Sequence, residues 1–297
     1  LSWYTVFMTE YKQLPFSDPR LGRHVVHDER SREFAFLGNP RKALASVRHQ
    51  RHVPVWYQNV GACTLNAGLG CLGTGPFYDT TKTLWTDWTE DAAVRLYSRA
   101  TEIDEFPGTY PPEDTGSSGL AAAKVLKEKG LIDSYSHAFS FEDALAALQT
   151  RPVITGINWD ESFFEPDADG IIHRVPNGPS AGGHEFILDE IDVERQLIGA
   201  TNSWGTSYGK NGRFYIPFDL YRQLLSEQGD VTIFNPLKAP VAPVVPVVMP
   251  QPSVPLATSD DVVLWNAIRA WTLSQRYGTP YFLAGKIKVW ARAKGLS

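Results

Sequence analysis

Seven prolines fall within the twenty residues 236–255, which read PLKAPVAPVVPVVMPQPSVP. Each proline fixes φ and removes a backbone donor, so this stretch can enter neither a helix interior nor a central strand. It is expected to be an extended, polyproline-like spacer. The chain is thereby divided into a body before the spacer and a short tail after it. In the tail, Ser259 with Asp260 and Asp261 makes a helix start, and VVLWNAIRAWTLSQR has helical periodicity. Gly278-Thr279-Pro280 breaks that helix, and a second is expected from Pro280 to Lys294. The expected layout is an N-terminal extension over 1–52, a globular body over 53–235, a linker over 236–258 and a helical hairpin over 259–297.

Within the body, helices are expected at 63–73, 89–103, 117–129, 140–149 and 217–226. Strands are expected at 152–159, 184–192, 196–203 and 212–217. The run Val153-Ile154-Thr155-Gly156-Ile157-Asn158-Trp159 is β-branched and bounded by Pro152 and acids, as a strand should be. Helices lead and strands follow, and that segregation argues an α+β fold. Hydrophobic residues at 43% and charged residues at 21% exclude a mainly disordered or coiled-coil chain. A net charge of −5 offers no global field for nucleic acid. No apolar run is long enough to span a membrane. The N-terminal LSWYTVFMTEYKQ lacks a basic region and a cleavage site, so no signal peptide is expected. A cytoplasmic or phage-associated location is favoured over secretion by a signal peptide. There is no phosphate-binding loop, and GLGCLGTG at 68–75 does not fit a dinucleotide fingerprint. The histidines and cysteines lack zinc spacing, so neither metal nor cofactor is expected.

Two cysteines, Cys63 and Cys71, lie eight residues apart. On one helix that separation is about 12 Å, whereas bridged Cα atoms lie within roughly 7 Å. No internal disulfide is expected, and Cys71 among Gly70, Leu72 and Gly73 reads as core. Cys63 follows Gly61-Ala62 at a loop-to-helix transition. The positive end of the helix favours its thiolate and makes it a candidate nucleophile. The plain alternative is a buried core cysteine. A nucleophilic thiol needs a base, and His184 stands out among seven histidines because it follows Ala181-Gly182-Gly183 and opens the strand Glu185-Phe186-Ile187-Leu188. His173 is the second choice. Asn202, in Thr201-Asn202-Ser203-Trp204-Gly205, can accept from one imidazole N–H and fix the tautomer, and Trp204 can shield that bond from water.

Gln58, Cys63, the Gly-Gly-His strand and the run Asn-Ser-Trp-Gly-Thr-Ser-Tyr-Gly-Lys-Asn-Gly from 202 to 212 together resemble the papain family of cysteine proteases. The resemblance covers roughly 53–220, and the last motif is the most specific. Cys63 to His184 is 121 residues and Cys63 to Asn202 is 139, against roughly 130–150 in the family. The resemblance implies a helical subdomain carrying the cysteine packed on a β-rich subdomain carrying His and Asn, with the active site between them. It implies Cys63 as nucleophile, His184 as base and acid, Asn202 as the orienting residue and Gln58 as oxyanion donor beside the Cys63 backbone N–H. Ser118 and Gly119, in Asp114-Thr115-Gly116-Ser117-Ser118-Gly119, correspond to a segment that pairs with substrate; the plain reading of Ser118 is a helix cap. With Trp204 these are the candidate substrate contacts.

The pattern departs in places. Gln58 stands five residues before Cys63, one fewer than usual in the family, and Thr64 replaces the common aromatic after the nucleophile, which fits a bacterial or phage member. Residues 1–52 contain no obvious helical inhibitory propeptide, so activation by its removal is not indicated, although these residues could wrap the body or partly cover the cleft. The leading expectation is an endopeptidase acting on peptide or protein substrates. One alternative is a peptidoglycan cross-link peptidase, suggested by a tail that from Arg276 carries Arg276, Lys286, Lys288, Arg292 and Lys294 with no acid; that hairpin would be its contact with the cell wall or with a protein partner. The other alternative is a catalytically silent structural or binding module of a viral particle. Neither nucleic acid nor membrane is an expected partner.

Overall fold

The structure is a computed structural model that describes residues 9–36, 38, 43–237, 263, 264 and 266. Near the N-terminus, β1 (Thr9–Lys12) pairs antiparallel with β2 (Val25–Asp28), and a two-residue β3 (Val47–Arg48) follows. The helical half comprises α1 (Cys63–Leu72), α2 (Phe77–Thr81), α3 (Glu90–Ile103) and α4 (Gly119–Glu128). The second half runs β4 (Ser134–Ala138), α5 (Phe141–Leu148), β5 (Val153–Asp160), β6 (Ser180–Asp192), β7 (Leu197–Thr201), β8 (Arg213–Pro217), α6 (Phe218–Ser226) and β9 (Asp230–Asn235). Hydroxyl caps fix three helix starts: Thr89, Ser118 and Ser140 accept from the backbone N–H of Ala92, Ala121 and Asp143. Each satisfies a donor that the first turn leaves without an intrahelical acceptor.

The strands form an antiparallel sheet in the order β4-β9-β5-β6-β7-β8, with β3 also pairing β6. The five helices and four strands read from periodicity are all present. The main extension is β6, which begins at Ser180 and carries Gly182 and Gly183 into the sheet. The β1–β2 pair, β3, α2, β4 and β9 had no expectation. β4 is Ser-Tyr-Ser-His-Ala at the sheet edge, where polar side chains hide the strand period.

α1 reads CTLNAGLGCL, carries no charge and is buried along its whole length, as a helix apolar on every side must be. It joins two cores. One gathers Leu65, Leu69, Tyr97 and Leu126 around α1, α3 and α4. The other gathers Phe186, Ile198, Phe214 and Tyr221 around the sheet, with Trp159 at its centre. The Trp159 indole is fully buried and meets Phe163, Phe186, Phe214, His184 and Trp204 edge-on, with centroids 4.9–6.0 Å apart. Trp159→Ala is expected to cost about 3–5 kcal/mol and to lower Tm by roughly 10 °C, measured by calorimetry; an unchanged Tm would contradict this packing.

The chain divides into two compact units, 1–239 and 240–297. In the second, only Val263, Leu264 and Asn266 are described, all helical. The expected linker and hairpin therefore lie almost wholly outside the described residues. Among those residues no helix is long and apolar enough to cross a membrane, and no group of three His, Cys, Asp or Glu side chains could hold a metal ion.

Candidate active site

Cys63 is the first residue of α1, after Ala62 at the cap position. Its side chain is fully buried, and the backbones of Glu185 and Thr64 lie close enough to the sulfur to favour its thiolate, against the larger effect of burial. Glu185 immediately follows His184 on β6, so the thiol lies beside the histidine strand. His184 Nε2 is bonded to Asn202 Oδ1 at 2.8 Å. Asn202 Oδ1 can only accept, so Nε2 carries the hydrogen and Nδ1 is left as the basic nitrogen. Nδ1 is buried and has no hydrogen bond among the described residues. The Trp204 indole stacks on the imidazole at 4.5 Å between centroids and 28° between planes. Gln58 is buried beside this pair, with Oε1 accepting from the Ser203 hydroxyl. Thus Cys63, His184, Asn202, Trp204 and Gln58, spread over about 150 residues of sequence, converge between the helical half and the sheet.

The other sequence candidates fall elsewhere or act differently. His173 is exposed and bonded to Asp167 at 2.7 Å. Cys71 is a free, buried thiol that donates to Pro152 O at 3.5 Å. The Ser118 hydroxyl is engaged in capping α4. Gly119 opens that helix against Glu185: a Cβ there would lie 2.6 Å from Glu185 Oε1.

Residues 14–24 fill the cleft. Leu21 is fully buried in the sheet core. Gly22 N and Arg23 N both donate to Gly183 O at 3.1 Å on one wall. On the other wall, Ser117 N donates to Gly22 O at 2.8 Å and His24 N donates to Ser117 O at 2.7 Å. Gln58 Nε2 donates to Pro19 O and to Val60 O, both at 3.1 Å, and Trp204 Nε1 donates to Arg20 O at 3.0 Å. The approach is close enough to require glycine: Gly22 has φ +150°, and a Cβ on it would meet Gly61 O at 2.3 Å. A Cβ on Gly183 would lie 2.1 Å from Arg23 O. His24 is locked as well, since its Nδ1 accepts from Leu14 N at 2.9 Å and its Nε2 donates to Thr115 O.

Partial coverage of the cleft was an open option from sequence; here the cover is continuous and ties up the amide of Gln58. No helical pattern announces it, because the segment is irregular chain with a tight turn in which Leu21 N donates to Asp18 O at 3.0 Å. The signal present was a cluster of turn formers, Pro15, Ser17, Asp18, Pro19 and Gly22, ahead of the first expected helix.

Burial under the segment controls the charges. It pushes the Cys63 thiol well above its usual range. It also pulls His184 down to about 3; the bond to Asn202 opposes this and Arg20 adds to it. Both groups are therefore neutral at pH 7 in the covered state. A histidine whose folded value lies below the unfolded value favours the covered state fully above about 6.5. That contribution is lost as pH falls through 6.5 toward 3. The His184 ring is expected to stay neutral from pH 8 to pH 4 by nitrogen NMR, and to titrate at least about two units higher once the cover is displaced. Titration near 6.5 in the covered protein would contradict the sealed geometry.

No family model and no curated protein matches the sequence. Solved structures do. Xylellain, a cysteine protease from Xylella fastidiosa, superposes with a TM-score of 0.59 at 16% identity, over 78% of this chain and 100% of that one. The digestive procathepsin L 3 of Tenebrio molitor larval midgut gives 0.50 at 12% identity, over 75% of this chain and 76% of that one. At such identities the likeness speaks for architecture, and it agrees with the element order above: this chain has the α+β, two-subdomain fold of the papain-like cysteine proteases.

Proposed function

We propose that the chain is a cysteine peptidase whose active site is covered by its own residues 14–24. The observation that carries this reading is the His184–Asn202 pair under Trp204, with Nδ1 buried and unbonded, on the strand whose next residue, Glu185, lies against the buried Cys63. Once the cleft is free, His184 Nδ1 takes the thiol proton and the Cys63 sulfur attacks the peptide carbonyl carbon. The resulting oxyanion is met by the Cys63 backbone N–H and by Gln58 Nε2, which the cover's departure releases from Pro19 O. The imidazolium gives its proton to the leaving amine as the C–N bond breaks, leaving a thioester. Water, deprotonated by the same nitrogen, attacks the thioester; the acid departs and the thiol is restored.

The test is hydrolysis of fluorogenic peptides, together with labelling by an epoxide-type thiol inhibitor, by the full chain after its cover is loosened. Both are expected to vanish in Cys63→Ala. Hydrolysis that persists in that variant would overturn the reading. Asn202→Ala is expected to lower kcat about ten- to a hundredfold with little change in KM, because it frees the ring to rotate without touching substrate. A change confined to KM would reassign Asn202 to binding. The cell-wall alternative rests on tail residues outside the described ones, so the protein-substrate reading is carried forward.

A further inference from the structure

Three strands place two carboxylates on either side of a glycine. Gly156 on β5 is opposite Glu185 on β6 and opposite Asp230 on β9. The missing side chain leaves a notch between the two acids, and Gly119 at the start of α4 closes it from above. A Cβ on Gly156 would lie 2.4 Å from Arg23 Nε and 2.6 Å from Glu185 Oε2, so the Arg23 side chain occupies the space that any larger residue at 156 would fill.

Arg23 is fully buried there. Its Nε donates to Asp230 Oδ2 at 3.2 Å, its Nη2 donates to Gln228 O at 2.7 Å, and Nη2 also pairs with Asp230 Oδ2. Its Nη1 and both Glu185 carboxyl oxygens are buried with no hydrogen bond among the described residues. Buried acids are rare without a partner. Glu185 has no structural bond to explain it, and it directly follows the histidine of the site. Burial and the Asp230 charge raise the Glu185 carboxyl, while Arg23 lowers it. The notch thus holds one cation against one carboxylate and one carboxyl group able to ionise when water or a second cation enters.

The backbone on either side of Arg23 is hydrogen-bonded to Gly183 and Ser117. Those wall groups are free to bind any extended peptide once the cover leaves. We propose that the notch between Glu185 and Asp230 is a specificity subsite for the guanidinium or ammonium group of an arginine or lysine in the substrate. Arg23 is the chain's own occupant of that subsite, and the proposal rests on the peptidase reading above.

The experiment uses the full chain carrying Arg23→Ala together with Leu21→Asp, which vacates the notch and loosens the cover without altering the notch's walls. A positional peptide library is expected to show arginine and lysine favoured at one position by at least about tenfold in kcat/KM over leucine or glutamine. Adding Glu185→Gln and Asp230→Asn is expected to remove that margin. A synthetic peptide of residues 17–26 tests the native walls directly. It is expected to inhibit the protein carrying Arg23→Ala and Leu21→Asp about tenfold more tightly than the same peptide with alanine at position 23. Cys63-dependent cleavage with no basic preference at any position, or equal inhibition by the two peptides, would overturn the subsite and leave the peptidase standing. Absence of any Cys63-dependent cleavage would overturn both.

Discussion

His184→Ala is expected to lower kcat/KM by about four orders of magnitude or more, assayed on fluorogenic peptides with the cover loosened. The proposed mechanism asks two things of the imidazole: that it take the proton from a thiol that burial holds neutral, and that it return that proton to the leaving amine. Among the described residues Asn202 Oδ1 is the partner of Nε2 at 2.8 Å, so the ring presents Nδ1 to the reaction in a single tautomer. Labelling of Cys63 by iodoacetamide is expected to slow in the same variant, because the thiolate is no longer generated by proton transfer. That readout is independent of substrate binding. Activity within tenfold of the parent would remove His184 from the mechanism and leave the Asn202–Trp204 arrangement as a packing feature.

The second large effect concerns the cover. Leu21→Asp is expected to raise the rate of Cys63 labelling by about a hundredfold or more in the full chain. Leu21 is fully buried in the sheet core, with Leu21 Cδ1 3.2 Å from where a Gly182 Cβ would stand. A carboxylate in that place costs several kcal/mol, and every 1.4 kcal/mol shifts the covered-to-open ratio tenfold. The hydrogen bonds to Gly183, Ser117, Gln58 and Trp204 are each worth about 1 kcal/mol net and exchange readily for water when the segment leaves. Cys71 is an internal control: it is fully buried within α1 away from the cleft, so it stays unlabelled if only the cover opens and is labelled if the chain unfolds. Leu21→Ala is the milder companion, with a smaller acceleration in the same direction. Labelling of Cys63 unchanged in both variants would show that residues 14–24 do not gate the thiol.

Activity, on this view, depends on how the segment is displaced. The covered state keeps both reactive groups neutral, and the open state lets water support the thiolate and imidazolium. One movement therefore both clears the cleft and restores the charges that the chemistry uses.

Much of the arrangement is local enough to be read from residues in order. Capping hydroxyls, the charge-free helix after Gly61-Ala62, the β-branched run 153–159 and the motif from Asn202 to Gly212 each carry their own instruction, because caps, periodicity and turn chemistry act over a few residues. The resemblance to the papain family, carried by those motifs, implied one site for Cys63, His184, Asn202, Trp204 and Gln58; the structure bonds His184 to Asn202, stacks Trp204 on it, and has Gln58 accept from the neighbouring Ser203. The cover and the acidic notch depend instead on non-local geometry. Residues 14–24 form neither helix nor regular strand and take bonds from Gly183 and Ser117, more than ninety residues away, so no periodicity marks them. Glu185, Gly156 and Asp230 form a row only because β6, β5 and β9 pair in that register. A lone acid inside an apolar strand was visible at Glu185, but its neighbours across the sheet, and the arginine seated between them, were decided by strand pairing.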